Sequence, residues 1–179
     1  MLEDLLAKDL ALVVCGSAAG QRSAELKQYY AGPGNKFWRT LARTRLTPRQ
    51  LSPSEWRLLL DFSIGLTDLV KGQSGADDEI DFGRAGATEL ERKIERLHPG
   101  VLCFNGKRAA SEYLGRQVEF GVQSEIIADT RIFVAPSTSG AANGAWDPAR
   151  WDELAELVRE LPSGRAARAR AAAAQTSAV

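Results

Sequence analysis

The amino-acid sequence predicts an α/β fold, a three-layer sandwich in which helices flank a central, mostly parallel β-sheet. Three short apolar runs, LALVVCG, VLCFNG and RIFVAPSTSG, end in small or polar residues, as buried strands do where they enter loops. Amphipathic helical segments separate these runs. In such sheets ligands bind at the loops beyond the carboxyl ends of the strands, so these three loops form the candidate site.

The amino-terminal elements follow from local signals. Leu12, Val13 and Val14 fit a pleated sheet, and Gly16 ends the first strand. A helix begins at the sequence NKFW. The sequence SPSE at residues 52–55 places a capping serine, a proline in the first turn and a reciprocating glutamate at the start of another helix.

The second half of the chain continues the alternation. Thr88 to Glu91 reads as the cap of a helix with Leu90, Ile94 and Leu97 on one face. Asp147-Pro148 opens the last helix. That helix carries apolar residues at helical spacing, which predicts a buried face: Trp151, Leu154, Leu157, Val158 and Leu161.

Two segments lack apolar periodicity. KGQSGADDEIDFGRAGA, residues 71–87, is rich in glycine and acid, so we expect a long loop that is either a solvated connector or a functional flap. Residues 163–179 are rich in Ala and Arg with nothing to bury, so we expect a mobile tail, which either contacts phosphates or only aids solubility. With 179 residues, 44% of them hydrophobic, we expect a single domain over residues 1–162.

Composition excludes several classes of site. The 23 basic and 23 acidic residues balance, so any contact with nucleic acid must come from a local patch. Cys15 and Cys103 lie in apolar runs, which suits buried thiols in a reducing compartment. His98 precedes Pro99 at a helix end, where a surface or capping role is expected. We therefore expect no metal site and no cofactor.

Hydropathy indicates a cytoplasmic protein without a membrane partner. No apolar run approaches the roughly 18 to 20 residues of a membrane span. The first ten residues, MLEDLLAKDL, lack the basic-then-apolar pattern of a secretory signal.

The three loops carry the candidate binding groups. Gly16 to Gly20 can approach a ligand through its backbone, although it is neither G-x-G-x-x-G nor a phosphate loop with Lys-Ser/Thr. Asn105, directly after a strand, offers an acceptor and two donors to a ligand, or else forms a turn or cap. Residues 136–143, PSTSGAAN, are small and polar enough for close approach, or else form an ordinary loop.

Taken together, the loops resemble those of the uracil-DNA glycosylase superfamily, especially its mismatch-specific uracil/thymine and hypoxanthine-DNA glycosylase branches. CGSAAG is similar to the first motif, and YYAGPGNKFW, the most specific part, to the segment that supplies a base-stacking aromatic. FNG lies where the superfamily reads the base, and STSGAANGA resembles the second motif, which inserts into DNA. GLTDLV is similar to a strand-like segment of the mismatch-specific branch. The resemblance spans residues 10–161.

The resemblance implies roles for individual residues. Tyr30 would stack on a flipped base, the backbone near Ser17 and Ala18 would bind its carbonyl, and Asn105 would read its edge. The remaining substrate-binding residues implied by the two motifs are Gly16, Gly20, Ser137, Thr138, Ser139 and Gly140.

One departure concerns the attacking water. The mismatch-specific branch holds it with an Asn, whose matching position here is Ala18. The Asp and second-motif His of the major uracil-specific branch have no match either. The candidate replacement is Asn35, whose alternative role is a helix cap. Asn143 is a second candidate and Asp68 a third, for which a buried hydrogen-bonding role is the alternative.

The resemblance therefore implies a monomeric, monofunctional uracil-DNA glycosylase that acts on single- or double-stranded DNA. No lysine lies inside the three motif loops, only Lys36 and Lys107 at their edges, so Schiff-base lyase chemistry is not expected. The alternatives are a hypoxanthine-preferring glycosylase, a catalytically weak binder of deaminated or abasic DNA, and a binder of small nucleotides.

Overall fold

A central five-stranded sheet organises the computed structural model, which describes residues 1–162. The strands are β1 (Leu12–Gly16), β2 (Ile64–Asp68), β3 (Val101–Asn105), β4 (Gly121–Ile127) and β5 (Thr130–Ala135). Their order is β2-β1-β3-β5-β4; β4 pairs antiparallel with β5, and the other neighbours are parallel. The predicted mostly parallel sheet is confirmed, and the predicted tail lies outside the described residues.

Helices cover both faces of the sheet. They are α1 (Gln21–Leu26), α2 (Phe37–Arg43), α3 (Arg84–Leu97), α4 (Lys107–Leu114) and α5 (Pro148–Arg159), with 3₁₀ segments at Pro53–Phe62, Asp77–Glu79 and Asn143–Ala145. Successive β1 side chains point to opposite faces. Leu12 and Val14 pack in the cluster that contains Trp151, whereas Val13 and Cys15 pack in the cluster that contains Ile94. The three-layer prediction is confirmed.

The capping signals are correct at two of three places. The Glu55 carboxylate accepts the Ser52 N–H at 2.9 Å, although the segment that follows is 3₁₀ rather than α. Asp147 accepts the Ala149 N–H at 3.0 Å and starts α5.

The predicted cap at Thr88 is wrong, because α3 begins one turn earlier, at Arg84. Thr88 lies inside the helix and donates to the Arg84 carbonyl at 3.3 Å. In this first turn, a Cβ added at Gly86 would lie 2.2 Å from the Leu69 carbonyl oxygen, directly after β2. Only a glycine permits this close approach of the first turn to the sheet.

The three residues used to exclude metal sites lie where the sequence predicts. Cys15 and Cys103 are free and buried in the sheet. His98 ends α3 in the left-handed conformation, with its ring nitrogen 3.3 Å from Asp129. Across residues 1–162, no helix is long and apolar enough to cross a membrane.

A candidate site at the carboxyl ends of the strands

One cavity of about 430 Å³ lies at the carboxyl ends of β1, β2 and β3. Here the chain passes from β2 across β1 to β3, and such a change of direction opens a crevice in parallel sheets. All but one of the residues proposed from the sequence line this cavity: Gly16, Ser17, Ala18, Gly20, Tyr30, Asn35, Asn105, Ser137, Thr138, Ser139 and Gly140. The exception is Asn143, which is exposed and starts a 3₁₀ turn away from the cavity wall.

The loop after β1 is fixed by its carbonyl groups. The Gly16 carbonyl accepts the Leu69 N–H and the Ser17 carbonyl accepts the Val70 N–H, both at 2.8 Å. A Cβ added at Gly16 would lie 2.8 Å from Asp68 Oδ1. The glycine therefore allows a carboxyl group from β2 to reach the floor of the cavity.

Asp68, the third candidate from the sequence, has the buried hydrogen-bonding position that was its alternative role. It lines the cavity and its side chain is only 5% exposed. Burial raises the pKa of Asp68 to about 6, against the opposing effect of Lys71, whose Nζ lies 3.5 Å from Oδ2. The feature of the sequence that could have identified Asp68 is its position: it is the last residue of β2, as Asn105 is the last residue of β3.

Tyr30 lines the cavity, and its hydroxyl group is buried. Its ring centroid lies 4.0 Å from that of Phe37, which supports one side of the ring. Its hydroxyl oxygen is buried and has no hydrogen-bond partner among residues 1–162. Burial and then Asp68 raise the pKa of Tyr30. The cavity floor thus combines a neutral phenol with a carboxyl that titrates near neutrality.

Asn105 is already hydrogen-bonded to the loop after β5. Its Nδ2 donates to Thr138 Oγ1 at 2.9 Å, and its Oδ1 accepts the Thr138 N–H at 3.0 Å. An amide has two N–H donors and two acceptor positions on its oxygen. One N–H and one acceptor position are left over after these two bonds, and Asn105 also acts on the nearby Tyr30 hydroxyl, whose pKa it lowers against the larger effect of burial.

Asn35 lies one residue before Lys36, the N-cap of α2, and its side chain makes a hydrogen bond like that of the predicted cap. Its Oδ1 accepts the Phe37 N–H at 3.0 Å, at the start of α2. The same residue lines the cavity, so the capping bond fixes the side chain there.

Lys36 joins the two loops that face each other across the cavity. Its backbone N–H donates to the Thr138 carbonyl at 2.8 Å, and its Nζ donates to the Ser139 carbonyl at 3.0 Å. Gly140 approaches closely as well, since a Cβ there would lie 3.2 Å from the Pro33 carbonyl oxygen. These contacts fix the loop before α2 and the loop after β5 against each other at the edge of the cavity.

The acidic segment after β2 also forms part of the cavity wall. Gly75, Ala76 and Asp77 line the cavity, and the Gly75 N–H donates to the Ala19 carbonyl at 3.1 Å. The predicted loop over residues 71–87 is too long, because residues 84–87 belong to α3; the part before the helix lines the cavity, as the flap alternative requires. Basic side chains also lie at the cavity: Arg22, Lys107 and Arg108.

Comparison with known proteins identifies the fold and the family. A solution structure of a candidate uracil DNA glycosylase from Methanosarcina acetivorans superposes with a TM-score of 0.53 at 20% identity, over 89% of this chain and 97% of that one. The model of the uracil DNA glycosylase superfamily matches residues 3–161, which include every strand and every residue that lines the cavity except Leu2. This chain is a member of the uracil DNA glycosylase superfamily.

Proposed function

We propose that this protein is a monofunctional DNA glycosylase that flips uracil out of DNA and hydrolyses its N-glycosidic bond, leaving an abasic site. One observation carries the proposal: an aromatic ring, an edge-reading amide and close-packed small loops meet at a single cavity. A flipped base needs a stacking surface, polar groups at its edge and close backbone approach. In this proposal Tyr30 stacks on the base and Asn105 reads its edge.

The attacking water is assigned to Asn35. Cleavage with a base anion as leaving group is strongly dissociative, so stabilising charge on the base supplies much of the rate. Ala18 has no polar side chain, whereas Asn35 lies at the same cavity with its amide fixed by the capping bond. We assign no metal or cofactor to this hydrolysis.

A lysine nucleophile is not part of the proposed mechanism. Lys36 Nζ is hydrogen-bonded to the Ser139 carbonyl at 3.0 Å, and Lys107 Nζ lies 3.3 Å from Glu119. Both ammonium groups have partners in this structure, and the proposed product is an intact abasic site. DNA is the proposed partner of a monomer, with Arg22, Lys107 and Arg108 placed for phosphate contact.

Hypoxanthine is the second candidate substrate, and Asp68 is the observation that favours it. A carboxyl with a pKa of about 6 is partly neutral near neutral pH and then donates a hydrogen bond. Donation to a ring nitrogen that carries no hydrogen, which hypoxanthine has and uracil in DNA lacks, stabilises the departing purine.

An alkaline cleavage assay tests the proposed function. Oligonucleotides with one uracil or one hypoxanthine, single-stranded or paired, are incubated with excess protein and then treated with alkali. We expect strand breaks at uracil after alkali and none before it. Breaks at hypoxanthine alone would establish the second candidate. Binding without breaks would instead indicate a protein that only recognises deaminated DNA.

Tyr30→Ala tests the stacking surface. We expect it to weaken the complex with uracil-containing DNA by about 1 to 3 kcal/mol, the contribution of stacking on one base. Tyr30→Phe is the matched control, since it keeps the ring and removes only a buried hydroxyl that has no partner among residues 1–162. Affinity and melting temperature are measured on each variant. Equal affinity of the Ala and Phe variants would remove Tyr30 from the binding surface.

Asn105→Asp tests base reading. An ionised aspartate has only acceptors, so the uracil O4 would face an unpaired carboxylate and most uracil excision should be lost. The side chain would also lose its donation to Thr138 Oγ1. Thr138→Val is the control, because it removes that contact and leaves the amide. Excision by Asn105→Asp near the wild-type rate would contradict the assignment.

A further inference from the structure

An ammonium group connects the cavity carboxyl to the amino-terminal segment. Lys71 Nζ lies 3.5 Å from Asp68 Oδ2 and 2.6 Å from Asp4 Oδ1. The same Nζ lies 3.2 Å from the Tyr29 hydroxyl and 3.3 Å from the Leu2 carbonyl oxygen. Lys71 is therefore surrounded by acceptors from three parts of the chain.

Asp4 is itself held in place. Its Oδ2 lies 2.8 Å from Lys93 Nζ, and its Oδ1 accepts from Thr67 Oγ1 at 2.7 Å. Next to it, Leu5 and Leu66 exchange backbone hydrogen bonds of 2.9 and 2.8 Å. Lys71 and Lys93 lower the pKa of Asp4 although burial opposes them. Asp4 thus presents a fixed negative charge to Lys71.

We propose that Lys71, held by Asp4, is a positioning residue that fixes the orientation and the charge of the Asp68 carboxyl in the cavity. The geometry supports this, because Lys71 is shared between two carboxylates and lies closer to Asp4. The part of the inference that concerns catalysis rests on the proposed function; the part that concerns the ionisation of Asp68 does not.

The network predicts that loss of Lys71 and loss of the Asp4 charge change the pKa of Asp68 in opposite directions. Lys71 favours the ionised form of Asp68, and Asp4 opposes it through its own charge. Loss of Lys71 should therefore raise the pKa of Asp68. Loss of the Asp4 charge should lower it, since the repulsion disappears and the ammonium is free to move toward Asp68.

The other groups that face Asp68 stay the same in both variants. They are Cys15 on β1 and the phenols of Tyr29 and Tyr30, all of which interact with the Asp68 charge. Burial raises the pKa of each of these groups, so they remain neutral over the range in which Asp68 titrates. Lys93 acts on Asp68 through Asp4.

The test is a titration of the Asp68 carboxyl carbon by NMR in the full chain. We expect a midpoint near 6 in the wild type, a midpoint higher by at least about half a pH unit in Lys71→Met and a lower one in Asp4→Asn. Lys71→Arg should stay close to the wild type. Unchanged midpoints in Lys71→Met and Asp4→Asn, or shifts in the same direction, would overturn the proposal.

Matched controls separate these effects from general charge changes. Glu3→Gln removes a charge from a side chain that is 84% exposed in the same segment, and Lys8→Met removes an exposed lysine. Neither should move the midpoint. If Lys71→Met does not fold, Lys71→Gln takes its place, and the downward shift in Asp4→Asn still decides the outcome.

Cleavage rates measured against pH on the same variants complete the test. If the Asp68 carboxyl takes part in the chemical step of an active glycosylase, the pH midpoint of the single-turnover rate should follow the NMR midpoint from variant to variant. Shifted NMR midpoints without cleavage by any variant would support the role of Lys71 and reject the proposed function. Cleavage together with an NMR midpoint that stays the same in all variants would support the proposed function and reject the role of Lys71.

Discussion

Asn35→Ala is expected to lower the single-turnover rate of uracil excision by about ten- to a thousandfold, or about 1.4 to 4 kcal/mol, with little change in DNA affinity. The reason is that a water-guiding group acts on the chemical step. The same substitution removes the acceptor of the Phe37 N–H, so about 1 kcal/mol of stability should also be lost. Rate, affinity and melting temperature are measured on one preparation.

Asn35→Ser separates the two roles of this residue. A serine hydroxyl can accept the N–H two residues ahead, as Ser137 does for Ser139 at 3.3 Å in this chain. We therefore expect Asn35→Ser to retain stability and still lose rate. A serine variant with the wild-type rate would show that Asn35 is only a cap.

A second substitution tests whether Asn35 replaces the residue that is absent at position 18. Ala18 and Asn35 line the same cavity. Ala18→Asn in the Asn35→Ala background should restore part of the lost rate if both positions serve the same water. No recovery in a folded double variant would contradict that assignment.

The fold could be predicted because its signals are local. Buried parallel strands appear as continuous apolar runs. Helix α5 can be recognised from its capping residue and from its apolar residues at helical spacing. The strand β4 was not predicted, because it is an edge strand whose Val122 and Ile126 are exposed, so its pattern is weak. Helix α1 has six residues and no side-chain cap, which leaves no signal in the sequence.

From the residues alone, the site could be predicted only where its groups lie at or directly after the end of a strand. Each of the three candidate loops follows a strand, so the sequence predicts that Gly16, Asn105 and Ser137 lie close together. The partners of these residues could not be predicted, since Asn105 bonds a residue 33 positions away and Asp4 lies beside Lys71 through the fold. Asp68 was ranked low for the same reason: its burial against Gly16 depends on the pairing of β1 with β2.

The burial of Asp68 has a measurable consequence for stability. Its pKa is about 6 in the folded chain and 3.8 as an ordinary carboxyl. The folded state therefore binds the proton more tightly, and this contribution to stability is complete below pH 3.8 and lost as pH rises through 6. The difference corresponds to about 3 kcal/mol, an upper bound for a group that relaxes on ionisation.

Asp68→Asn is accordingly expected to raise the free energy of unfolding at pH 8 by up to about 3 kcal/mol and to change it little near pH 4. An asparagine keeps the shape and cannot ionise, and Lys71 keeps its ion pair with Asp4 at 2.6 Å. Urea unfolding of both proteins across this range measures the effect, with Asp61→Asn as an exposed control. A difference that does not vary with pH would contradict the raised pKa. If removal of the Asp68 carboxyl stabilises the fold at pH 8 as expected, folding does not account for the presence of this group, and its place at the cavity would favour a role in the chemistry of the site.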